Sequence, residues 1–377
     1  MALITYLTRI QFDFGALSLL ADEMAMLDIT RPLVVTDRGL LTLGMVDRLV
    51  AALPDPPAAS IFDDTPQNPT ERAARAAAFM YRDGRCDGVI GFGGGSSMDL
   101  AKAVALLATH DGPLAQYALV EGGVAKITDA VAPVIAIPTT AGTGSEVGSG
   151  ALIIMDDGRK LGVISPHLIP RLALCDPELT HSLPPALTAA TGLDALAHCV
   201  ETFIAPTINP PAEAIALDGA ARVARHLGTA VADGADRAAR WHMMMAAMEG
   251  AMAFQKGLGA IHALSHPLGA LHNLKLHHGT LNAILMPAVL RFNADHVGDK
   301  YDRLAAAVGA ASAAALPAWA AAFNSELGIP AGLGALGVDS VVLGAIADAA
   351  LGDHCHQTNP RAATRGDYFA ILEQSMV

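Results

Sequence analysis

GVIGFGGGSSMDLAK, residues 88–102, decides the fold. It opens on a short apolar run, Gly88–Gly91, passes through three consecutive glycines, and continues as a helix-forming stretch from Ser97. Glycines at a strand end let the backbone approach a pyrophosphate closely. The helix that follows offers free N–H groups and the positive end of its dipole. The spacing is not GxGxxG, which would need glycine at Ser96, and there is no Walker Gly-Lys-Ser/Thr. A glycine turn closing any strand–helix unit has the same composition, so the loop needs support from elsewhere in the chain.

That support lies on both sides. Pro32–Thr36, Pro133–Ile137 and Ala173–Cys175 read as further strands, and Thr70–Arg82 and Ser97–Thr109 as helices between them. Strand, turn and helix in repetition specify a parallel α/β sheet. Ala151–Met155 followed by Asp156-Asp157-Gly158 reads as a strand and hairpin turn. Between Asp176-Pro177 and Pro184-Pro185 the character changes, and the rest is Ala-rich helix with no convincing strand. The expected division is an α/β dinucleotide-binding domain over residues 1–180 and an all-α, metal-binding and catalytic domain over residues 181–377. No Gly/Ser linker separates them, so rigid packing around a cleft is expected.

Two more strand ends carry nucleotide-compatible chemistry. Strand Pro133–Ile137 runs into PTTAGTGSEV, residues 138–147, whose four hydroxyls and two glycines offer small donors to phosphate and ribose oxygens. A hydroxyl-capped helix start is the plainer reading of that loop. Asp37 follows strand Pro32–Thr36, where a carboxylate binds the adenosine ribose hydroxyls and repels a 2′-phosphate.

Composition removes whole classes of function. The 377 residues are 52% hydrophobic and 16% charged, enough apolar material for large cores. A net charge of −13 with no basic cluster argues against nucleic acid as a partner. No apolar run approaches a membrane span, and MALITYLTRIQFDFG lacks the basic start and apolar core of a signal peptide. Cys86, Cys175, Cys199 and Cys355 are far apart, with no CxxC pair, and read as buried reduced thiols in a cytoplasmic protein.

Histidines mark the chemistry. Five of the 14 fall at His262, His266, His272, His277 and His278. Asp194 and His198 are four apart, as are His262 and His266, so each pair shares a helix face. One such pair is commonly a hydrogen-bonded core pair. Two pairs plus further histidines, in apolar helices where an unpartnered imidazole is costly, point to a metal. One carboxylate with three imidazoles suits Fe2+ or Zn2+ and leaves a position for a substrate oxygen. His354-Cys355-His356 is a second candidate cluster, without a further histidine or cysteine near it in sequence.

Taken together, VVTDRGL (34–40), GGGSSMDLAK (93–102), PTTAGTGSEV (138–147), ATGLDALAHCVE (190–201), GAIHALSHPLGAL (259–271) and HHGTLNAIL (277–285) resemble the iron-containing (group III) alcohol dehydrogenases along nearly the whole chain. The resemblance implies a Rossmann-like nucleotide domain followed by a helical domain, the dehydroquinate synthase-like fold. It implies NAD and Fe2+ as cofactors, with Zn2+ the alternative metal, and a homo-oligomer, expected as a homodimer. It places the metal on Asp194, His198, His262 and His278, and sets His266 beside the nicotinamide as the catalytic residue. Asp37, Gly94, Gly95, Ser96, Asp99, Thr139, Thr140, Thr143, Lys160 and Leu179 match positions that contact or shape the cofactor site. The stretch before the ligand histidine is two residues longer than the family pattern and ends in a double histidine.

The expected activity is hydride transfer between NAD(H) and a small alcohol or aldehyde, or a hydroxy acid and its semialdehyde. The rival within enzymes is an NAD- and metal-dependent cyclising lyase of dehydroquinate synthase type, which would need basic residues clustered for a phosphorylated acidic substrate. The non-enzymatic rival is a nucleotide-binding regulator with a dead site, against which the intact Asp194, His198 and His262 stand.

Overall fold

The computed structural model describes residues 8–271 and 273–377. They form two compact units, one of residues 8–140 and Ser145–His181, the other of the described residues of Ser182–Val377 together with Ala141–Gly144. The described residues of the first unit contain eight strands: β1 (Arg9–Phe12), β2 (Pro32–Val35), β3 (Ser60–Phe62), β4 (Gly88–Gly93), β5 (Val134–Pro138), β6 (Gly150–Ile154), β7 (Lys160–Ile164) and β8 (Leu172–Cys175). Six of them make one sheet in the order β1-β8-β5-β4-β2-β3, with every neighbouring pair parallel. β6 and β7 pair antiparallel as a separate two-stranded sheet around the Asp156–Gly158 turn.

The central strands read as unbroken apolar runs because both faces of the sheet are covered. Leu33, Val35, Val89 and Val134 pack with Ala74, Leu100 and Val104 on one face. Val34, Ile90, Ile135, Leu172 and Leu174 pack with Leu20, Met24, Met45 and Leu49 on the other. The helices are cut by local chemistry: Thr70 Oγ accepts the Ala73 N–H at 3.2 Å to start Glu71–Asp83. β1 and β3 were not legible in the sequence. They are the two edges, three or four residues long, and half-buried, so neither carries the β-branched run that marks an interior strand.

The second unit has no strand among its described residues. Its central helix, Pro185–Ile204, is buried continuously from Thr188 to Ile204. It packs against helices Pro210–Ala232, Arg237–Met252 and His278–Asn293. An apolar helix with core on all sides fits its composition, and it makes the polar residues it carries conspicuous. No single helix among the described residues is long and apolar enough to cross a membrane.

Candidate metal centre and cofactor loops

Helix Pro185–Ile204 carries Asp194, His198 and Glu201, four and three residues apart and therefore on neighbouring positions of one face. Helix Ala260–Gly269 carries His262 and His266, and helix His278–Asn293 begins with His278 and brings Asn282 one turn later. Gly279 is what lets the third helix come close. A Cβ there would lie 2.1 Å from the Ala190 carbonyl oxygen and 3.0 Å from Asp194 Cβ. Only a glycine permits that approach, and it sets His278 against Asp194.

The result is a convergence of four side chains. One donor atom from each of Asp194, His198, His262 and His278 lies within 4.8 Å of the others. Asp194 Oδ1 is 3.9 Å from His198 Nε2, 4.0 Å from His262 Nε2 and 3.6 Å from His278 Nε2. The far sides of two rings are anchored. His198 Nδ1 lies 3.3 Å from the Gly142 carbonyl, an atom that only accepts, so Nδ1 carries the proton and Nε2 presents its lone pair inward. His262 Nδ1 lies 2.6 Å from Glu201 Oε2. Burial pushes Glu201 up to about 7, against the amides of Ile261, Gly259 and His262. Burial likewise holds His262 well below its ordinary value, so its ring is neutral.

These residues fit a divalent cation. Asp194, His198 and His262 are buried, and a carboxylate buried at such a place costs several kcal/mol without a counter-charge. Asn282 Nδ2 lies 2.7 Å from Asp194 Oδ1, 3.2 Å from His262 Nε2 and 3.1 Å from His278 Nε2. An amide nitrogen has two hydrogens for those three neighbours, while its own Oδ1 is buried with no partner among the described residues.

His266 stands beside this centre in a stack of three imidazoles. Its ring is 5.5 Å from His278 at 12° and 5.6 Å from His354 at 17°. Nδ1 lies 2.8 Å from Asp353 Oδ2, and His266 and His354 hold the Asp353 carboxyl well below the usual carboxylate range. His266 Nε2 is buried and without a partner among the described residues.

In the α/β unit the expected cofactor residues gather at the C-terminal ends of adjacent strands. Asp37 lies two residues past the end of β2 and caps helix Arg38–Thr42 by accepting the Leu40 N–H at 3.1 Å. Gly94 starts helix Gly95–Leu107, with Gly95 and Ser96 in its first turn; the Ser96 hydroxyl donates to the Gln67 carbonyl. Gly93 pairs in register with Pro138, so Gly94 comes beside Thr140, and the Thr139 N–H donates to the Gly93 carbonyl at 2.9 Å. Gly93 has φ +150°, a conformation that favours glycine.

The other positions are placed differently. Asp99 accepts from Ser145 Oγ at 2.6 Å and from Leu152 N at 2.9 Å, fastening the second loop and β6 to the glycine-loop helix. Buried Lys102 completes that fastening through Ser145 and the Gly148 and Gly150 carbonyls. Lys160 opens β7 and donates to Asn68 Oδ1 at 3.1 Å. Leu179 packs in the core with Leu17 and Leu20. Thr143 belongs with the helical unit, next to the Gly142 carbonyl that anchors His198. His272 lies outside the described residues.

Residues 8–177 match the iron-containing alcohol dehydrogenase model, and residues 188–376 match the C-terminal model of the same family. The chain belongs to the iron-containing alcohol dehydrogenases. It is 55% identical to a 4-hydroxybutyrate dehydrogenase of Cupriavidus necator, over 100% of both chains. A crystal structure of 1,3-propanediol oxidoreductase superimposes with a TM-score of 0.92 at 33% identity, covering 99% of this chain and 100% of that one. A sulfoacetaldehyde reductase of Bifidobacterium kashiwanohense in complex with NAD+ matches at a TM-score of 0.89 and 27% identity, over 100% and 98%. This iron-type dehydrogenase is thus an oxidoreductase that transfers hydride between NAD(H) and an alcohol or aldehyde, with iron and NAD as cofactors. That family membership sets aside the cyclising-lyase and regulatory readings.

Sequence reading missed Glu201, Asn282 and Asp353. Glu201 and Asn282 carried a usable signal, since they sit three and four residues after His198 and His278 in apolar helices. Asp353 carried none: 87 residues separate it from His266.

Proposed function

We propose that this dehydrogenase interconverts an ω-hydroxy acid of the 4-hydroxybutyrate class and its semialdehyde. Asp194, His198, His262 and His278 hold the iron, and His266 acts on the substrate proton. The observation that carries the substrate class is end-to-end 55% identity with a 4-hydroxybutyrate dehydrogenase. Iron, when bound, supplies a Lewis acid for the substrate oxygen. Glu201 orients His262, the Gly142 carbonyl orients His198, and Asn282 closes the donor ring. Oxidation of an alcohol gives up a hydride to NAD+ and one proton. His266 Nε2, with Nδ1–H committed to Asp353, is the acceptor for that proton. The test is an NAD-linked assay of the iron-loaded enzyme on 4-hydroxybutyrate, 1-butanol and 1,3-propanediol. A kcat/KM at least about tenfold higher for the hydroxy acid, roughly 1.4 kcal/mol, is expected. Equal values for 4-hydroxybutyrate and 1-butanol defeat the substrate assignment.

In the same reading NAD lies on the β2, β4 and β5 strand ends. Gly94, Gly95 and Ser96 take the pyrophosphate, Thr139 and Thr140 border it, and Asp37 takes the ribose. Asp99, Thr143, Lys160 and Leu179 shape these loops from behind. Asp37→Gly is expected to narrow the preference for NAD over NADP by about an order of magnitude. Glycine also caps helices, so the fold loses only a few tenths of a kcal/mol. Steady-state kinetics with both cofactors decides this, and a wild type that already prefers NADP refutes the role of Asp37.

Gly94→Val is expected to raise the NAD dissociation constant and leave iron content unchanged. Its φ of −76° suits any residue, and a first side-chain carbon would meet only the Thr140 side chain, at 3.4 Å. The fold therefore accepts the change while the branched group fills the pyrophosphate space. Calorimetric titration with NAD checks it, and unchanged affinity in a folded variant ends the loop's assignment.

The reading also takes the enzyme to be a cytoplasmic homo-oligomer, which light scattering of the purified protein tests.

A further inference from the structure

His354 and Cys355, with the adjoining Asp353, find in the fold a partner distant in sequence, His266. His266 Nδ1 is 2.8 Å from Asp353 Oδ2, His354 Nδ1 is 3.6 Å from Asp353 Oδ1, and His354 Nε2 is 3.4 Å from Cys355 Sγ. One donor atom from each of these four side chains lies within 4.8 Å of the others, the same closeness as in the Asp194 centre. His356 is not among them; its Nδ1 is 2.9 Å from the Tyr368 hydroxyl. Two imidazoles, a carboxylate and a thiol make a four-coordinate nitrogen, oxygen and sulfur set of the kind zinc takes, with bonds of about 2.0–2.3 Å.

We propose that His266, Asp353, His354 and Cys355 form a second, inhibitory site for a thiophilic divalent cation of the Zn2+ type. The charge state of the cluster suits that ligand. Asp353 is held anionic, while burial raises the Cys355 thiol well above its ordinary value, so it stays protonated until a cation displaces its proton. Binding forms one metal–sulfur, one metal–oxygen and two metal–nitrogen bonds. It releases the Cys355 thiol proton to solvent and moves the His266 Nδ1 proton to Nε2, with no change of oxidation state. Cys355 is buried, so entry is slow unless His354, whose side chain is 20% exposed, swings aside. Inhibition rests on the reading above, in which His266 takes the substrate proton; metal binding itself does not.

The two centres differ in one readable way: only the second contains sulfur. The iron-loaded enzyme is titrated with Co2+ without oxygen. A second metal equivalent with thiolate-to-cobalt charge-transfer absorption in the near ultraviolet is expected. That absorption is lost in Cys355→Ser, and His354→Ala weakens the second equivalent at least about tenfold. Uptake of one equivalent only, uptake without charge transfer, or unchanged affinity in His354→Ala each overturns the site. In parallel, excess Zn2+ is expected to inhibit the iron-loaded wild type, and His354→Ala to need at least about tenfold more. A second equivalent that binds with its sulfur signature but does not inhibit overturns the inhibitory role, and with it the role of His266 as proton acceptor, while the site stands.

Discussion

His278→Ala is expected to lose both iron and activity, whereas His277→Ala keeps its iron and part of its turnover. The two histidines are neighbours, so in regular backbone their side chains point apart and only one reaches the Asp194 centre. His278 is the first residue of its helix and its Nε2 lies 3.6 Å from Asp194 Oδ1. His277 precedes the helix with extended backbone and is not one of the four converging donors. Removing one of three imidazoles takes away a bond to the metal. Removing a neighbour outside the donor set typically costs about 10–100-fold in affinity. Metal analysis of both purified variants decides between them. Iron kept in His278→Ala and lost in His277→Ala reverses the assignment.

Asp353→Asn is expected to lower kcat by about 10²–10⁴-fold while iron content stays the same and KM moves far less. Asp353 touches neither the four converging donors nor the substrate in the proposed reaction; it acts through His266. Its carboxylate fixes the Nδ1–H tautomer that leaves Nε2 as an acceptor, and stabilises the imidazolium once the proton arrives. Asparagine keeps the shape and loses the charge, and its amide presents either a donor or an acceptor to Nδ1. A role confined to packing would instead lower the melting temperature without separating kcat from KM. Unchanged kcat, or iron lost in parallel with activity, removes Asp353 from the mechanism. Asp353→Glu, which restores the charge on a longer stem, is expected to recover part of the rate.

The parts of the molecule that were legible in the sequence are those where local pattern and final environment agree. Interior strands covered on both faces must be apolar throughout, so β2, β4 and β5 announced themselves, while the half-buried edges β1 and β3 did not. The Asp194–His198 and His262–His266 spacings were readable because a helix turns the same face inward every four residues, and polar groups in apolar helices need a reason to be there.

Sequence by itself thus determined the interior strands, the change to a helical second half, the strand-end loops and the family. Which side chains meet was decided only by tertiary structure. Gly279 brings His278 to Asp194 through a backbone approach that no spacing encodes. The Gly142 carbonyl leaves its strand-end loop to settle with the helical unit and orient His198. Asp353 reaches His266 across 87 residues, a separation over which neither helical nor strand periodicity carries information. Local periodicity fixes the face a residue occupies, but a contact also needs the partner's face, and the packing of whole helices supplies that.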